Sequence, residues 1–274
     1  MSDNMLFTIF TPAYNRAHTL KRCYDSIVMQ SFISLEWIVI DDGSIDNTRD
    51  VVKGFIDEGK INIRYFYQDN AGKQAAWNKA LQEAKGEFFV GLDSDDALVP
   101  NSLIKMNGNL IKIRNSELVL GVRAVAISEK KKCADSDFKV LGNGVASWFD
   151  EFASRIFGER IDILKTSEIK KFLYPVGPGI KFIPEVWFYA KTASSGYLFL
   201  YETEPVRLFF DEHNHMRLSR SNLRAHAKGH LISRAEMLKV IPISAWARNP
   251  IALIKTIVRT LQCIIFCILD SKKK

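Results

Sequence analysis

Cysteine is scarce in this chain: four among 274 residues, Cys23, Cys133, Cys263 and Cys267, with no CxxC pair. That density excludes a disulfide-stapled secreted scaffold and points to reduced thiols in a cytosolic compartment. The opening MSDNMLFTIF has no basic start followed by a long apolar core, so no secretory leader is expected. Low-complexity stretches are absent, and 47% hydrophobic with 25% charged residues is the balance of a globular protein. Its length suits one large domain, or one domain with appendages.

Acidic residues nearly vanish from the last quarter. From His213 onward there are twelve Lys/Arg against Glu236 and Asp270 alone, a balance of +10. Residues 1–212 carry 26 basic and 29 acidic side chains, a balance of −3. A mildly acidic front and a basic tail suggest a polyanionic partner surface for the tail. The tail interleaves no stacking aromatics with its cations, which argues against nucleic acid and favours anionic lipid.

What the chain does have is a regular beat over its first 126 residues. Short apolar runs predict strands at Leu6–Thr11, Glu36–Asp41, Ile61–Tyr67, Glu87–Leu92 and Glu117–Ile127. Helical patterns lie between them: Thr19–Gln30, a segment capped by Asp46 or Asn47 running to Gly59, Gln74–Lys85, and about Asn101 to Lys112. Nearly all-apolar strands alternating with helices predict an α/β fold, a mostly parallel central sheet flanked by helices. Ligands of such sheets bind at the carboxyl ends of the strands. Polar residues gather there: Tyr14 to Arg16, Asp41 and Asp42, Asn70 to Lys73, and Asp93 to Asp96. The expected organisation is a regular α/β half over 1–127, a less regular half of the same domain over 128–215, and a basic helical extension over 216–274.

The sharpest local signal is VGLDSDDALVP, in which an apolar run empties into Asp93, Asp95 and Asp96. Carboxylates about 5 Å apart at an effective dielectric near 20 repel by roughly 3 kcal/mol a pair. Capping the next helix would need only one acid. Two acids spaced as D-x-D can share a divalent cation, and Mg²⁺ is held by one or two carboxylates plus substrate phosphates. Such a cation would remove the repulsion and act as a Lewis acid for a phosphate leaving group.

Taken in order, TPAYNR, VIDDGSIDNT, DNAGKQAAWNKALQEAKGEFFVGLDSDD and FIPE resemble glycosyltransferase family 2, the nucleotide-sugar-dependent transferases of the GT-A fold. The resemblance is tight over residues 5–125, loose to about 220, and strongest toward bacterial enzymes that build surface glycans such as lipopolysaccharide. It implies a nucleotide-sugar donor, UDP on family grounds, and Mn²⁺ or Mg²⁺ as cofactor. It implies that Pro12, Tyr14 and Asp42 line the base and ribose and that Lys73 holds the nucleotide or its diphosphate. Asp93 would sit near the ribose and the metal shell, with Asp95 ligating the metal directly. Members of the family are usually inverting, which calls for a carboxylate base; the candidate is Glu185 in KFIPEVW. Pro184, Val186 and Trp187 around it predict a partly desolvated carboxyl. Many members carry Glu-Asp at that point, whereas here Val186 follows. His213 and His215 match no ligand spacing and are expected on an acceptor-facing loop.

The terminal stretch Ile251–Asp270 would be about 30 Å long as a helix, enough to span a bilayer. Lys255 and Arg259 would cost roughly 5–7 kcal/mol at the bilayer centre, and the strong apolar residues return about 5. A helical wheel gathers Lys255, Arg259 and Gln262 on one side and Ile254, Ile257, Leu261, Ile264, Ile265 and Ile268 on the other. An in-plane helix on anionic lipid is therefore expected, with packing on its own domain or on a second copy as the alternatives. The resulting expectation is a metal-dependent, inverting transferase acting on a glycan or lipid-linked acceptor, peripheral at the inner face of the cell membrane. The competing reading is an inactive, membrane-associated scaffold of a glycan-assembly complex. A nucleotidyltransferase would want a glycine-rich phosphate loop after the first strand, and TPAYNR has no glycine.

Overall fold

The computed structural model describes residues 6–30, 34–210 and 222–271. Strands β1 (Phe7–Ala13), β2 (Leu35–Asp41), β3 (Asn62–Tyr67) and β4 (Phe88–Gly91) alternate with helices α1 (Leu20–Val28), α2 (Thr48–Glu58) and α3 (Lys73–Glu83). A short strand β5 (Ala97–Leu98) precedes α4 (Ser102–Arg114), followed by β6 (Val119–Ser128) and the two-residue strands β7 (Cys133–Ala134) and β8 (Val145–Ala146). Next come α5 (Trp148–Ser154), β9 (Arg160–Lys165), α6 (Thr166–Ile169), α7 (Val186–Ser194) and β10 (Leu198–Phe209). The chain closes with α8 (Ala227–Val240), α9 (Ile243–Arg248) and α10 (Pro250–Ser271).

One sheet runs in the order β3-β2-β1-β4-β9-β6-β10-β5. The expected parallel pairing holds from β3 to β4. It does not continue into β6, because β9 enters between β4 and β6 antiparallel to both. The short, interrupted pattern of residues 128–212 hid β9 and the long, bulged β10, whose register shifts at Glu202–Pro205 and again at Pro205–Arg207.

Alternation along the strands separates two apolar layers. Ile9, Trp37, Val39, Phe88 and Val90 face α1, α2 and α4, while Phe10, Ile38, Ile40 and Phe89 face α3, α5, α7, α8 and α9. The sheet is thus buried on both sides, as nearly continuous apolar strands require. Parallel register aligns the carboxyl ends of neighbouring strands: Ala13 lies opposite Asp41, and Asp41 opposite Tyr67. The four polar loops therefore meet at one edge.

Helix α10 is anchored at its start, where buried Asn249 donates to the carbonyl of Phe152 on α5 at 2.9 Å. It lies along α8 through small side chains, with Thr256 and Cys263 fully covered. The aliphatic side of the helix, Ile254, Ile257, Val258, Leu261, Ile264, Ile265 and Ile268, is exposed.

Candidate active site

Two hydrogen-bonded loops floor the site. Asn15 sits in the left-handed region at φ +54°, accepts from the Ile45 N–H at 2.8 Å and offers its own N–H to the Ser44 hydroxyl at 2.9 Å. Asp46 accepts from the N–H of Thr48, the first residue of α2, at 3.0 Å and from that of Ala17 at 3.2 Å. The loop after β1 is thereby tied to the loop after β2, with Pro12 and half-exposed Tyr14 at its base.

Asp42 is buried, and its carboxylate gathers the third loop. One oxygen accepts from Gln68 at 2.7 Å and the Ala71 N–H at 2.8 Å; the other accepts from the Gly72 N–H at 2.8 Å. A carboxylate offers about four acceptor directions, so roughly one remains for a ligand. Gly72 then turns at φ +96°, where a Cβ would stand 1.8 Å from the carbonyl oxygen of Lys181. Only glycine fits that approach, and it delivers Lys73 as the first residue of α3.

Lys73 is the hub. Its ammonium lies 2.8 Å from Asp93, on the loop after β4, and 3.0 Å from Glu185, the residue that leads into α7. Burial alone would depress the Lys73 pKa, but the two carboxylates outweigh it and hold the group above its ordinary value. Asp93 answers in the opposite sense: burial would raise it, while Lys73 and then Arg207 keep it below the usual carboxylate range.

Two arginines that the sequence did not single out shape the acidic loop. Arg207 on β10 packs beside Asp96 at 3.5 Å and pairs with Glu159. Burial pushes Asp96 up to about 7, with Arg207 opposing and the acids Asp93 and Asp95 adding to the rise. Arg22 on α1 donates to the carbonyl of Asp95 and stacks its guanidinium 3.6 Å over the ring of Phe210. Their only sequence signal is a position on an element that ends near the acids, and that is visible only once the sheet order is known.

Glu185 departs from its expected surroundings. Its side chain is 52% exposed, more open than the partly desolvated carboxyl expected beside Pro184, Val186 and Trp187. The cause is helical period: α7 begins just after Glu185 and turns Trp187 and Phe188 into the core, leaving the carboxylate outward beside Lys73. Behind it, Tyr189 donates to Asp162 at 2.7 Å and lies under Arg123, itself paired with Glu151 and Asp162. This buried ionic cluster fixes the helix that carries Glu185.

No group of three or more His, Cys, Asp or Glu residues among the described residues could hold a metal ion. Asp93 and Asp95, the expected D-x-D pair, lie on the loop after β4, with the Asp93 carboxylate paired to Lys73. His213 and His215 lie outside the described residues.

Comparison with known proteins bears on the family and the fold. The family model Glycosyl transferase family 2 matches residues 8–167, more than half of the chain. An uncharacterized glycosyltransferase of Rickettsia typhi is 33% identical over 115 residues, 42% of this chain and 35% of that protein. Chondroitin synthase of Pasteurella multocida is 38% identical over 98 residues, 36% of this chain and 10% of the synthase. The chain thus aligns with about a third or less of the length of these two relatives. Among solved structures, S. aureus TarS in complex with UDP-GlcNAc superposes with a TM-score of 0.67 at 17% identity, covering 88% of this chain and 69% of that one. A mannosyltransferase from Pyrobaculum calidifontis in complex with GDP-Man and Mn²⁺ gives 0.61 at 17% identity, covering 98% and 75%. The mixed α/β architecture is that of GT-A glycosyltransferases, and by its sequence the chain belongs to glycosyl transferase family 2.

Proposed function

We propose that this protein transfers a sugar from a nucleotide-diphosphate donor, a UDP-sugar, to a hydroxyl of a glycan or lipid-linked acceptor, with inversion at the anomeric carbon. The observation that carries the reading is the convergence of four distant segments: one ammonium, that of Lys73, pairs with Asp93 and Glu185, and Asp42 holds the backbone of Gly72 just before it. The relatives' named ligands, UDP-GlcNAc and GDP-Man, support the donor class.

In this reading Pro12, Tyr14 and Asp42 line the base and ribose, and Lys73 meets the diphosphate. Asp95, with Asp93, would hold Mn²⁺ or Mg²⁺, which would supply positive charge to offset the negative charge developing on the departing diphosphate. Glu185 takes the proton of the acceptor hydroxyl as its oxygen bonds to the anomeric carbon. The carbon–oxygen bond to the phosphate breaks, and the nucleoside diphosphate leaves with that electron pair.

Helix α10, with its exposed aliphatic side and the cationic Lys255 and Arg259 at its flank, is read as a seat on an anionic membrane at the cytoplasmic face. By length and composition it could also cross a bilayer. An inactive scaffold anchored by the same helix is the alternative. Calorimetric titration of UDP, then GDP, with and without Mn²⁺, separates the two. A transferase binds one nucleotide in a Mn²⁺-dependent way that Asp95→Ala abolishes; a scaffold binds neither.

A further inference from the structure

Lys73 is shared between two carboxylates. An ammonium carries three N–H donors, and two are hydrogen-bonded here, to Asp93 Oδ2 at 3.2 Å and to Glu185 Oε1 at 3.0 Å, with Asp93 Oδ1 in ionic contact at 2.8 Å. A diphosphate reaching Lys73 competes with both carboxylates for the same charge. The two are not equal: Asp93 is held twice and lies near Arg207, whereas Glu185 is held once and its side chain is the more exposed, 52% against 37%. An ion pair open to solvent is the cheaper one to break.

We infer that Lys73 exchanges partners on donor binding, leaving Glu185 for the donor's diphosphate, so that Glu185 is free to accept a proton only in the donor-loaded protein. Lys73 is then a positioning residue that couples the two halves of the site. The same contact that grips the donor releases the carboxylate facing the acceptor, and before the donor arrives Glu185 is masked by its ion pair. The inference rests on the donor reading proposed above and adds an order of events to it.

A double-mutant cycle tests it by UDP binding alone, with Mn²⁺ saturating and no acceptor present. Glu185→Gln removes the competitor for Lys73, so UDP should bind about two- to five-fold tighter than to the unaltered protein. Lys73→Met should weaken UDP binding, and adding Glu185→Gln to Lys73→Met should then change nothing, because the coupling runs through the lysine. Lys73→Gln repeats the cycle should the methionine variant fold poorly, and thermal melts report that. Unchanged or weaker UDP binding by Glu185→Gln overturns the exchange while leaving the donor reading intact. Equal tightening in the Lys73 variants also overturns it, since simple charge repulsion from Glu185 would then suffice. Absence of UDP binding by the unaltered protein overturns the donor reading, and the exchange with it.

Discussion

Asn78 on α3 and Tyr174, upstream of α7, exchange two hydrogen bonds. The Asn78 amide donates to the Tyr174 carbonyl at 2.8 Å and accepts from the Tyr174 N–H at 2.9 Å. Gln74, one turn earlier, accepts from the Ile183 N–H at 3.1 Å. One face of α3 thus holds both ends of the segment that leads to Glu185, while its first residue, Lys73, pairs with Glu185 itself. Asn78→Leu leaves two backbone groups unpaired and should cost about 1–3 kcal/mol of stability. It should lower kcat far more than it changes UDP affinity, because the base is misplaced and the donor loops are not. Denaturant unfolding together with calorimetry checks both parts.

At Gly72 any side chain would be driven into the Lys181 carbonyl and held at a positive φ. Gly72→Ala should destabilise the protein by roughly 1–3 kcal/mol or more and disturb Lys73 and Glu185 together. The check is a melting curve paired with UDP titration, in which both signals should move.

Glu185→Gln should lower kcat by about 10²- to 10⁴-fold, the usual span for a lost general base, without weakening the donor. Steady-state kinetics with a competent donor and acceptor would show it. A variant retaining near-normal kcat would move the base elsewhere.

His230 on α8 contributes to the pH dependence of the folded state, opposite in sign to Asp96, whose raised pKa favours the folded chain at the acid end. Burial, reinforced by Arg234 and His226 on its own helix and Arg259 on α10, pushes the His230 pKa from 6.5 down to about 4. Between those values the unfolded chain binds a proton that the folded chain refuses. Its contribution is therefore complete above pH 6.5 and is lost as the pH falls toward 4, on the order of 2 kcal/mol once partial exposure is allowed for. Thermal melts across that window should fall less steeply for His230→Gln than for the unaltered protein.

On α10, replacing Ile257, Ile264 and Ile268 by serine leaves the side packed on α8 untouched. The triple variant should lose flotation with phosphatidylglycerol vesicles while keeping its melting temperature within a few degrees. The unaltered protein should float with those vesicles and not with phosphatidylcholine at high salt. Self-association that disappears in the variant, without flotation, would instead assign the face to a second copy.

Much of this was legible along the chain because it depends on neighbours in sequence. Apolar runs and helical periods placed β1 to β4 and α1 to α4, and the Asp93–Asp96 cluster marked the edge where ligands belong. The wheel drawn for Ile251–Asp270 separated the aliphatic side of α10 from its polar flank, and those aliphatics are exposed. Asp42, Lys73, Asp93 and Glu185 could each be named from motifs of the family resemblance, and the first three also lie on loops that follow strands.

Only the tertiary structure decided how those residues meet. The insertion of β9 against the direction of its neighbours, the reach of Arg207 from β10 to Asp96, and the single ammonium bridging Asp93 and Glu185 are long-range events. They turn on strand order and on backbone approach at Gly72, neither of which has a local sequence period. Glu185 makes the point most plainly. Its apolar neighbours in sequence predict a partly desolvated carboxyl, yet helical geometry sends Trp187 inward and leaves the acid half-exposed beside a lysine 112 residues away. Composition determines what a residue can do, and packing determines which partner it does it with.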